Sequence, residues 1–264
     1  MDLAAFLWKC QRKVFGRYLG LLFYQGRITA DRKVLPLKSL GPINQWLTEH
    51  GYTTPWLMTR RECQEFWKGM SNDEPFSGNH PEAYASKPQD IVRFLHEFWK
   101  PYVGYEDSIL ELGCNCGANL YGLNRLGYQH LNGIEINEHA VSHMAHAFPD
   151  LAKRAVISLG SVEEMLPKAE TRSIDVIFSM AVLLHVHPTS NSVFDEMVRV
   201  ARKYICVIEA EVANCSYVFA RNYKRVFQRR GWSEIKSVLL TKDAFPDMDS
   251  NYYGYAARLF HVPR

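Results

Sequence analysis

Apolar positions along this chain fall into two rhythms. Continuous short runs at Ile109 to Leu112, Leu131 to Ile136, Ala155 to Leu159, Ile174 to Ser179 and Tyr204 to Ile208 have the length and aliphatic content of strands buried on both faces. Between and before them the apolar residues recur at three- and four-residue steps, which predicts helices over Asp90 to Trp99 and Leu120 to Leu126. Strands that alternate with helices predict an α/β fold around a parallel sheet. Two further runs, Ile235 to Leu240 and Tyr252 to Val262, suit a terminal antiparallel pair. These features span about residues 84–264, which we read as one domain.

Residues 1–83 follow another pattern and read as a helical extension that caps the domain. Leu3, Phe6, Leu7, Cys10, Val14, Tyr18 and Leu21 repeat at helical spacing, with Lys9, Arg12 and Lys13 towards another side. Such a basic amphipathic helix suits packing on the domain, packing on a second copy as a homodimer, or peripheral membrane contact through residues 1–25. Pro36, Gly41-Pro42, Pro55, Pro75, Gly78 and Pro81 then punctuate short segments, among them Ile43 to Glu49 and Arg60 to Lys68. A substrate-covering cap is expected there, with Trp46, Trp56, Phe66 and Trp67 available to line a pocket or to form its core.

The run Ser108 to Leu120, SILELGCNCGANL, carries the chemistry. A strand breaks at Gly113 and Gly117, where the absence of a Cβ lets a ligand approach the main chain. Asn119 is placed to cap the following helix, whose free N–H groups face the crevice at the strand's carboxyl end. The spacing Glu111-x-Gly113-x-Asn115-x-Gly117 departs from the dinucleotide fingerprint. It resembles instead the first motif, E/D-x-G-x-G-x-G, of class I S-adenosylmethionine (SAM) dependent methyltransferases, with Asn115 at the middle glycine.

That resemblance implies a Rossmann-like fold, a mostly parallel seven-stranded sheet with a terminal antiparallel strand, and SAM as cofactor. It implies that Glu135, at the end of the second strand with Ile136 beside it, accepts hydrogen bonds from the ribose hydroxyls. The turn Ser161-Val162-Glu163 is expected near the adenine, with Ser161 where the family usually has an acidic residue. Ser179 and Met180 would lie beside the methyl-donor pocket. Tyr84 and Lys87, in the approach segment, are candidates for the methionine end, a solvated surface pair being the alternative.

An alcohol or phenol acceptor must lose a proton, and a histidine is the natural base. His185, just after the fourth strand, is the first candidate and His187 the second, with structural packing the plain alternative. Glu209 and Glu211 end the fifth strand at the same rim, where they could orient His185, bind a cationic acceptor or simply solvate the rim. Arg221 and Tyr223, opening a helix that ends at Gly231, present a solvated helix face or, alternatively, recognise an anionic substrate, with Tyr223 adding a hydroxyl.

Composition narrows the function. The net charge of +3 is small, and residues 1–70 carry 11 Lys or Arg against 5 Asp or Glu, so the catalytic part is slightly acidic. No nucleic-acid partner is therefore expected. The six cysteines form no C-x-x-C pair, so no metal is expected and a reducing, cytoplasmic setting fits. No apolar stretch approaches 18 residues, so no transmembrane helix is predicted. The leading expectation is methyl transfer to a small-molecule or glycan-type acceptor, at oxygen. The alternatives are RNA or protein methylation, for which Ser179-Met180-Ala181-Val182 replaces the N/D-P-P-Y/F tetrapeptide of amino methylation, and an inactive scaffold or membrane-docked binding protein.

Overall fold

A computed structural model describes residues 46–52, 58–69, 80–87, 89–211, 214–215 and 217–262. The helix expected over residues 1–25 and Trp56 lie outside the described residues.

Nine strands and nine helices are described here in chain order. Helices α1 (Arg60–Lys68), α2 (Pro81–Ala85) and α3 (Asp90–Trp99) lead into β1 (Ser108–Leu112), α4 (Ala118–Arg125), β2 (His130–Glu135), α5 (Glu138–Ala147), α6 (Pro149–Ala152) and β3 (Val156–Leu159). There follow α7 (Val162–Met165), β4 (Ile174–Met180), α8 (Ser192–Val200), β5 (Ala201–Ala210), a two-stranded hairpin of β6 (Asn214–Cys215) and β7 (Val218–Phe219), α9 (Tyr223–Gln228), β8 (Ser233–Leu239) and β9 (Tyr255–His261).

The seven long strands form one sheet in the order β3-β2-β1-β4-β5-β9-β8. β1 to β5 pair in parallel, while β9 runs antiparallel to both β5 and β8. Order reverses at β1, where the chain goes to β2 and β3 on one side and to β4 on the other. In such sheets the ligand crevice lies outside the carboxyl ends of the strands at that point.

Alternation along β4 shows how the sheet is sandwiched. Val176, Phe178 and Met180 pack into a core with α3 and α4, whereas Ile177 packs on the other face with Phe194 and Met197 of α8 and Tyr223 and Phe227 of α9. In α3 the buried residues Ile91, Leu95, Phe98 and Trp99 make one stripe, as their spacing requires. Trp99 meets Phe178 edge-on at 5.5 Å and donates its indole N–H to the Tyr128 hydroxyl at 2.8 Å, so its one polar atom is satisfied. Truncating a buried aromatic such as Phe178 to alanine costs about 3–5 kcal/mol by transfer and cavity terms together.

Three local expectations are corrected. The helix after β1 begins at Ala118, because Gly117 takes φ +81° and is itself the cap; Asn119 sits inside the first turn. The fifth strand is longer than the apolar run, since Ala201 to Lys203 extend it beside Ile174. The helix expected from Arg221 starts at Tyr223, where the Asn222 side chain accepts from the Arg225 N–H at 2.9 Å.

Candidate functional site

The carboxyl ends of β1, β2, β3 and β4 open into a two-lobed pocket, part of whose wall is α1. The first lobe, about 510 Å³, is lined by Ile136, Gly160, Ser161 and Val162 from the sheet and by Arg60, Cys63, Gln64 and Trp67 from α1. The second, about 810 Å³, is lined by Tyr84, Asn115, Asn137, Met180, Ala181 and Tyr255. Gly113, Glu135, Ile136, Val182, His185 and Trp67 border both.

The glycine turn is built on backbone conformation. Gly113 takes φ +69°, and a Cβ there would stand 2.5 Å from Val182 Cγ2, so this position admits no side chain without displacing the turn after β4. Asn115 takes φ +49°, a left-handed conformation that asparagine tolerates, and its Oδ1 accepts from the Cys116 N–H at 2.7 Å. The Asn115 N–H donates to Glu135 Oε2 at 2.7 Å, and those of Ile136 and Asn137 donate to Glu135 Oε1 at 2.9 and 2.8 Å. One carboxylate thus fastens the β1 turn to the end of β2. Burial raises its pKa against the pull of those N–H groups. Two carboxylate oxygens offer about four acceptor positions, so three backbone donors leave capacity for a ligand hydroxyl.

Glu111 lies behind the turn. Its Oε1 accepts from Asn119 Nδ2 at 2.6 Å, whereas Oε2 is buried with no partner. Burial pushes its pKa up to about 8, with the Asn119 bond opposing and the nearby Glu135 adding to it. A buried carboxyl oxygen without a donor is costly unless a cation or donor arrives.

The turn after β4 is held by charge instead. Ala181 takes φ +58°, and the 3-10 turn Leu183–His185 follows. Glu209, fully buried, accepts from Ser179 Oγ at 2.6 Å and from the N–H groups of Val182, Leu183 and Leu184 at 3.0 to 3.2 Å. Arg221, also fully buried, donates to the carbonyls of Leu183 and Val186 at 3.2 and 2.8 Å, to that of Phe219, and to Asn191 Oδ1. The acid takes the free N–H groups of the turn and the guanidinium takes its free carbonyls, so the pair caps both ends and fixes His185 between them.

Two histidines emerge from this turn in opposite states. His185 Nδ1 lies 2.9 Å from the Tyr217 carbonyl, which only accepts, so Nδ1 carries the proton and Nε2 keeps its lone pair. At His187, Nδ1 accepts from the Thr189 N–H at 3.3 Å, and the ring also bonds the Met58 backbone, so it is held from two sides. Burial lowers both pKa values to about 4. The His185 ring packs at 4.3 Å on Trp67 and stacks on Tyr217.

Of the residues singled out from sequence, the pocket brings together Tyr84, Gly113, Asn115, Glu135, Ile136, Ser161, Val162, Glu163, Met180, His185 and His187. Gly117 and Asn119 stand behind it: a Cβ on Gly117 would meet Met144 at 2.6 Å, and Asn119 serves Glu111. Ser179, Glu209, Arg221 and Tyr223 are buried within the protein and line neither lobe, because their polar atoms are spent on the β4 turn or enclosed in the core beneath it. Lys87 lies over the Tyr84 ring at 4.2 Å rather than in the pocket. Glu211 is bound by Arg258 at 2.7 Å. Of the cap aromatics, Trp67 lines the pocket, Phe66 stacks on Tyr217 at 5.2 Å, and Trp46 is half-exposed against His50 and Tyr52. The thiols beside the turn are buried and inert: Cys116 Sγ bonds the Pro81 carbonyl, and burial pushes its pKa up to about 12.

Arg60, Gln64, Asn137 and Tyr255 line the pocket without having stood out in the sequence. Asn137, directly after Ile136, had a signal: its Oδ1 accepts from the N–H groups of His139 and Ala140 and caps α5. Gln64 and Tyr255 had none, since their place depends on packing between distant segments.

Residues 110–204 match a family model described as a methyltransferase domain. No curated protein matches the chain. Among solved structures, a magnesium protoporphyrin IX methyltransferase from Synechocystis PCC 6803, with bound SAM, is 11% identical and superposes with a TM-score of 0.56 over 80% of this chain and 100% of that one. A geranyl diphosphate C-methyltransferase from Streptomyces coelicolor A3(2), crystallised with S-adenosylhomocysteine, is 10% identical, with a TM-score of 0.54 over 76% and 96%. A cyclase shares the fold as well, at 12% identity and a TM-score of 0.51 over 75% and 86%. Fold likeness at such identities leaves the reaction to be argued from the site.

Proposed function

We propose, from the match of residues 110–204 to a methyltransferase domain and the fold shared with SAM-bound methyltransferases, that the chain is a class I SAM-dependent methyltransferase that transfers the methyl group to a hydroxyl of a small-molecule or glycan-type acceptor, with His185 as general base. The observation that carries this reading is the His185 tautomer: Nδ1 is held by the Tyr217 carbonyl, and Nε2 is left as a proton acceptor in a residue bordering both lobes.

The residues fit the cofactor. Gly113 presents bare main chain to both lobes, Glu135 retains acceptor capacity for the ribose, and the unpartnered Glu111 Oε2 suits the ammonium of the methionine end. Ile136 and the Gly160-Ser161-Val162 turn suit the adenine, and Tyr84, Asn115 and Met180 the other end. When bound, SAM supplies a methyl group on a positively charged sulfur that leaves as a neutral thioether. The protein's task is then alignment, exclusion of water and proton removal. His185 Nε2 takes the hydroxyl proton as the new oxygen–carbon bond forms, and the Tyr217 carbonyl holds the resulting imidazolium through Nδ1–H. Glu209 and Arg221 position His185 by fixing its turn. Trp67, with α1, covers the pocket from the N-terminal side, in line with a division of the chain into a cap (residues 1–83) and a catalytic domain (84–264).

The test is methyl transfer from labelled SAM to a panel of hydroxyl-bearing acceptors, scored for wild type and His185→Gln. Transfer lost in the variant at unchanged SAM affinity is expected. Equal turnover would remove the base, and label appearing only on amines or carbon would overturn the oxygen assignment.

A further inference from the structure

The first lobe has a polar group that the methyltransferase domain does not supply. Gln64, on α1, lines it with its amide nitrogen buried and without a hydrogen-bond partner. The opposite wall is Ile136 at the end of β2 and the Gly160-Ser161-Val162 turn at the end of β3, on the far side of Glu135 from the glycine turn. A nucleoside whose ribose is bound by Glu135 therefore places its base in this lobe. Helix α1 is anchored over it. The Arg60 guanidinium lies 4.0 Å from the Glu163 carboxylate of α7, and the Met58 backbone, just before α1, is bonded to His187. The helix is also well made, with a Thr59 capping box in which Glu62 accepts from the Thr59 N–H at 2.8 Å.

A carboxamide offers a donor and an acceptor side by side, which is the complement of adenine's exocyclic amine and adjacent ring nitrogen. We propose that Gln64 reads the adenine of the methyl donor, its amide nitrogen donating to a ring nitrogen and its oxygen accepting from the amine. This rests on the donor-site reading above and deepens it. Gln64 lies outside residues 110–204, the stretch that matches the family model, so base recognition is shared between the domain and a helix of the N-terminal segment. One turn further along α1, Trp67 borders both lobes and packs on His185. A donor held by Gln64 thus contacts the helix that also carries Trp67 against His185.

The experiment is a calorimetric cycle on the full chain with S-adenosylhomocysteine and its analogue lacking the 6-amino group, for wild type, Gln64→Met and Gln64→Ala, with melting curves to verify folding. Wild type should lose about tenfold in affinity when the amine is removed, one buried hydrogen bond's worth. Gln64→Met should lose a similar factor for the adenosyl ligand and show almost no further loss with the analogue, so the two deletions are not additive. Additive losses, or a folded Gln64→Met that binds as wild type does, would overturn the assignment. Wild type that binds neither ligand would overturn the donor-site reading beneath it.

Discussion

The turn after β1 and the turn after β4 border the same pocket and are held by different physics. The first is a short stretch of sequence whose shape is set by positive φ at Gly113, Asn115 and Gly117 and by one carboxylate, Glu135, on the next strand. The second has an ordinary sequence, and its shape comes from two buried charged groups on distant segments, Glu209 and Arg221, that satisfy its N–H and carbonyl groups from opposite sides. A backbone-defined turn can accept a ligand against the main chain. A charge-braced turn can hold one side chain, His185, in one orientation and one tautomer.

The sharpest way to break this comparison is at the two histidines. His185→Ala should lower methyl transfer by about 10²–10⁴-fold, the usual contribution of general base catalysis, with SAM affinity preserved. His187→Ala, which removes a ring held from two sides, should instead lower the melting temperature and reduce turnover far less. If the two variants behave alike, the tautomer argument fails. Because His185 has a pKa of about 4, its base form is present throughout the neutral range, so wild-type turnover should show no histidine limb above about pH 5. A pH–rate profile that falls through pH 6.5 would contradict the buried state.

On the proposed donor side, Glu135→Ala removes both the proposed ribose acceptor and the fastening of the glycine turn, and should weaken SAM by about a hundredfold or more in calorimetry, an order-of-magnitude figure for losing several charge-assisted hydrogen bonds. For the β4 turn, Arg221→Met should lower stability by about 3 kcal/mol, as expected when a buried charge network loses one partner, and a denaturant titration reads it. SAM affinity should fall less than in Glu135→Ala.

Glu111 gives the smallest and most specific effect. With a pKa of about 8 it is mostly protonated at pH 7 in the ligand-free protein, and a cation brought beside it favours the carboxylate. SAM binding at pH 7 should therefore release a proton, seen as a dependence of the binding heat on the buffer's ionisation heat, and Glu111→Gln should abolish it. The same shift fixes a sign for stability. The unfolded carboxyl loses its proton near pH 4.5 and the folded one near 8, so between these values the folded state binds more protons and this group's contribution falls as pH rises. Glu111→Gln should flatten the fall in melting temperature between pH 6.5 and 8.

Much of the fold could be read directly because its signals are local. Ile109 to Leu112 and Ile174 to Ser179 are apolar enough to be buried on both faces wherever they sit, and the structure makes them adjacent central strands. Part of the pocket was legible for the same reason: Gly113 and Asn115 lie in one turn, Glu135 ends the next strand, and all three line the pocket. Glu209, Arg221 and Tyr223 show the limit. As charged or hydroxylated residues near a strand end and a helix start they suggested a catalytic rim, yet all three are fully buried, and Glu209 and Arg221 brace the β4 turn. No spacing rule reveals that two ionisable groups more than ten residues apart will cap one turn.

The sequence by itself determined the alternation of strand and helix, the positions where only glycine or asparagine fits, and the carboxylate that ends the second strand, because each depends on backbone sterics or on neighbours a few residues away. Tertiary structure alone decided which histidine keeps a free lone pair, which charges became scaffold, and that Gln64 of α1 faces the end of β3. Those outcomes depend on which carbonyl, N–H or cavity wall arrives from elsewhere in the chain, and that is settled only when the layers pack.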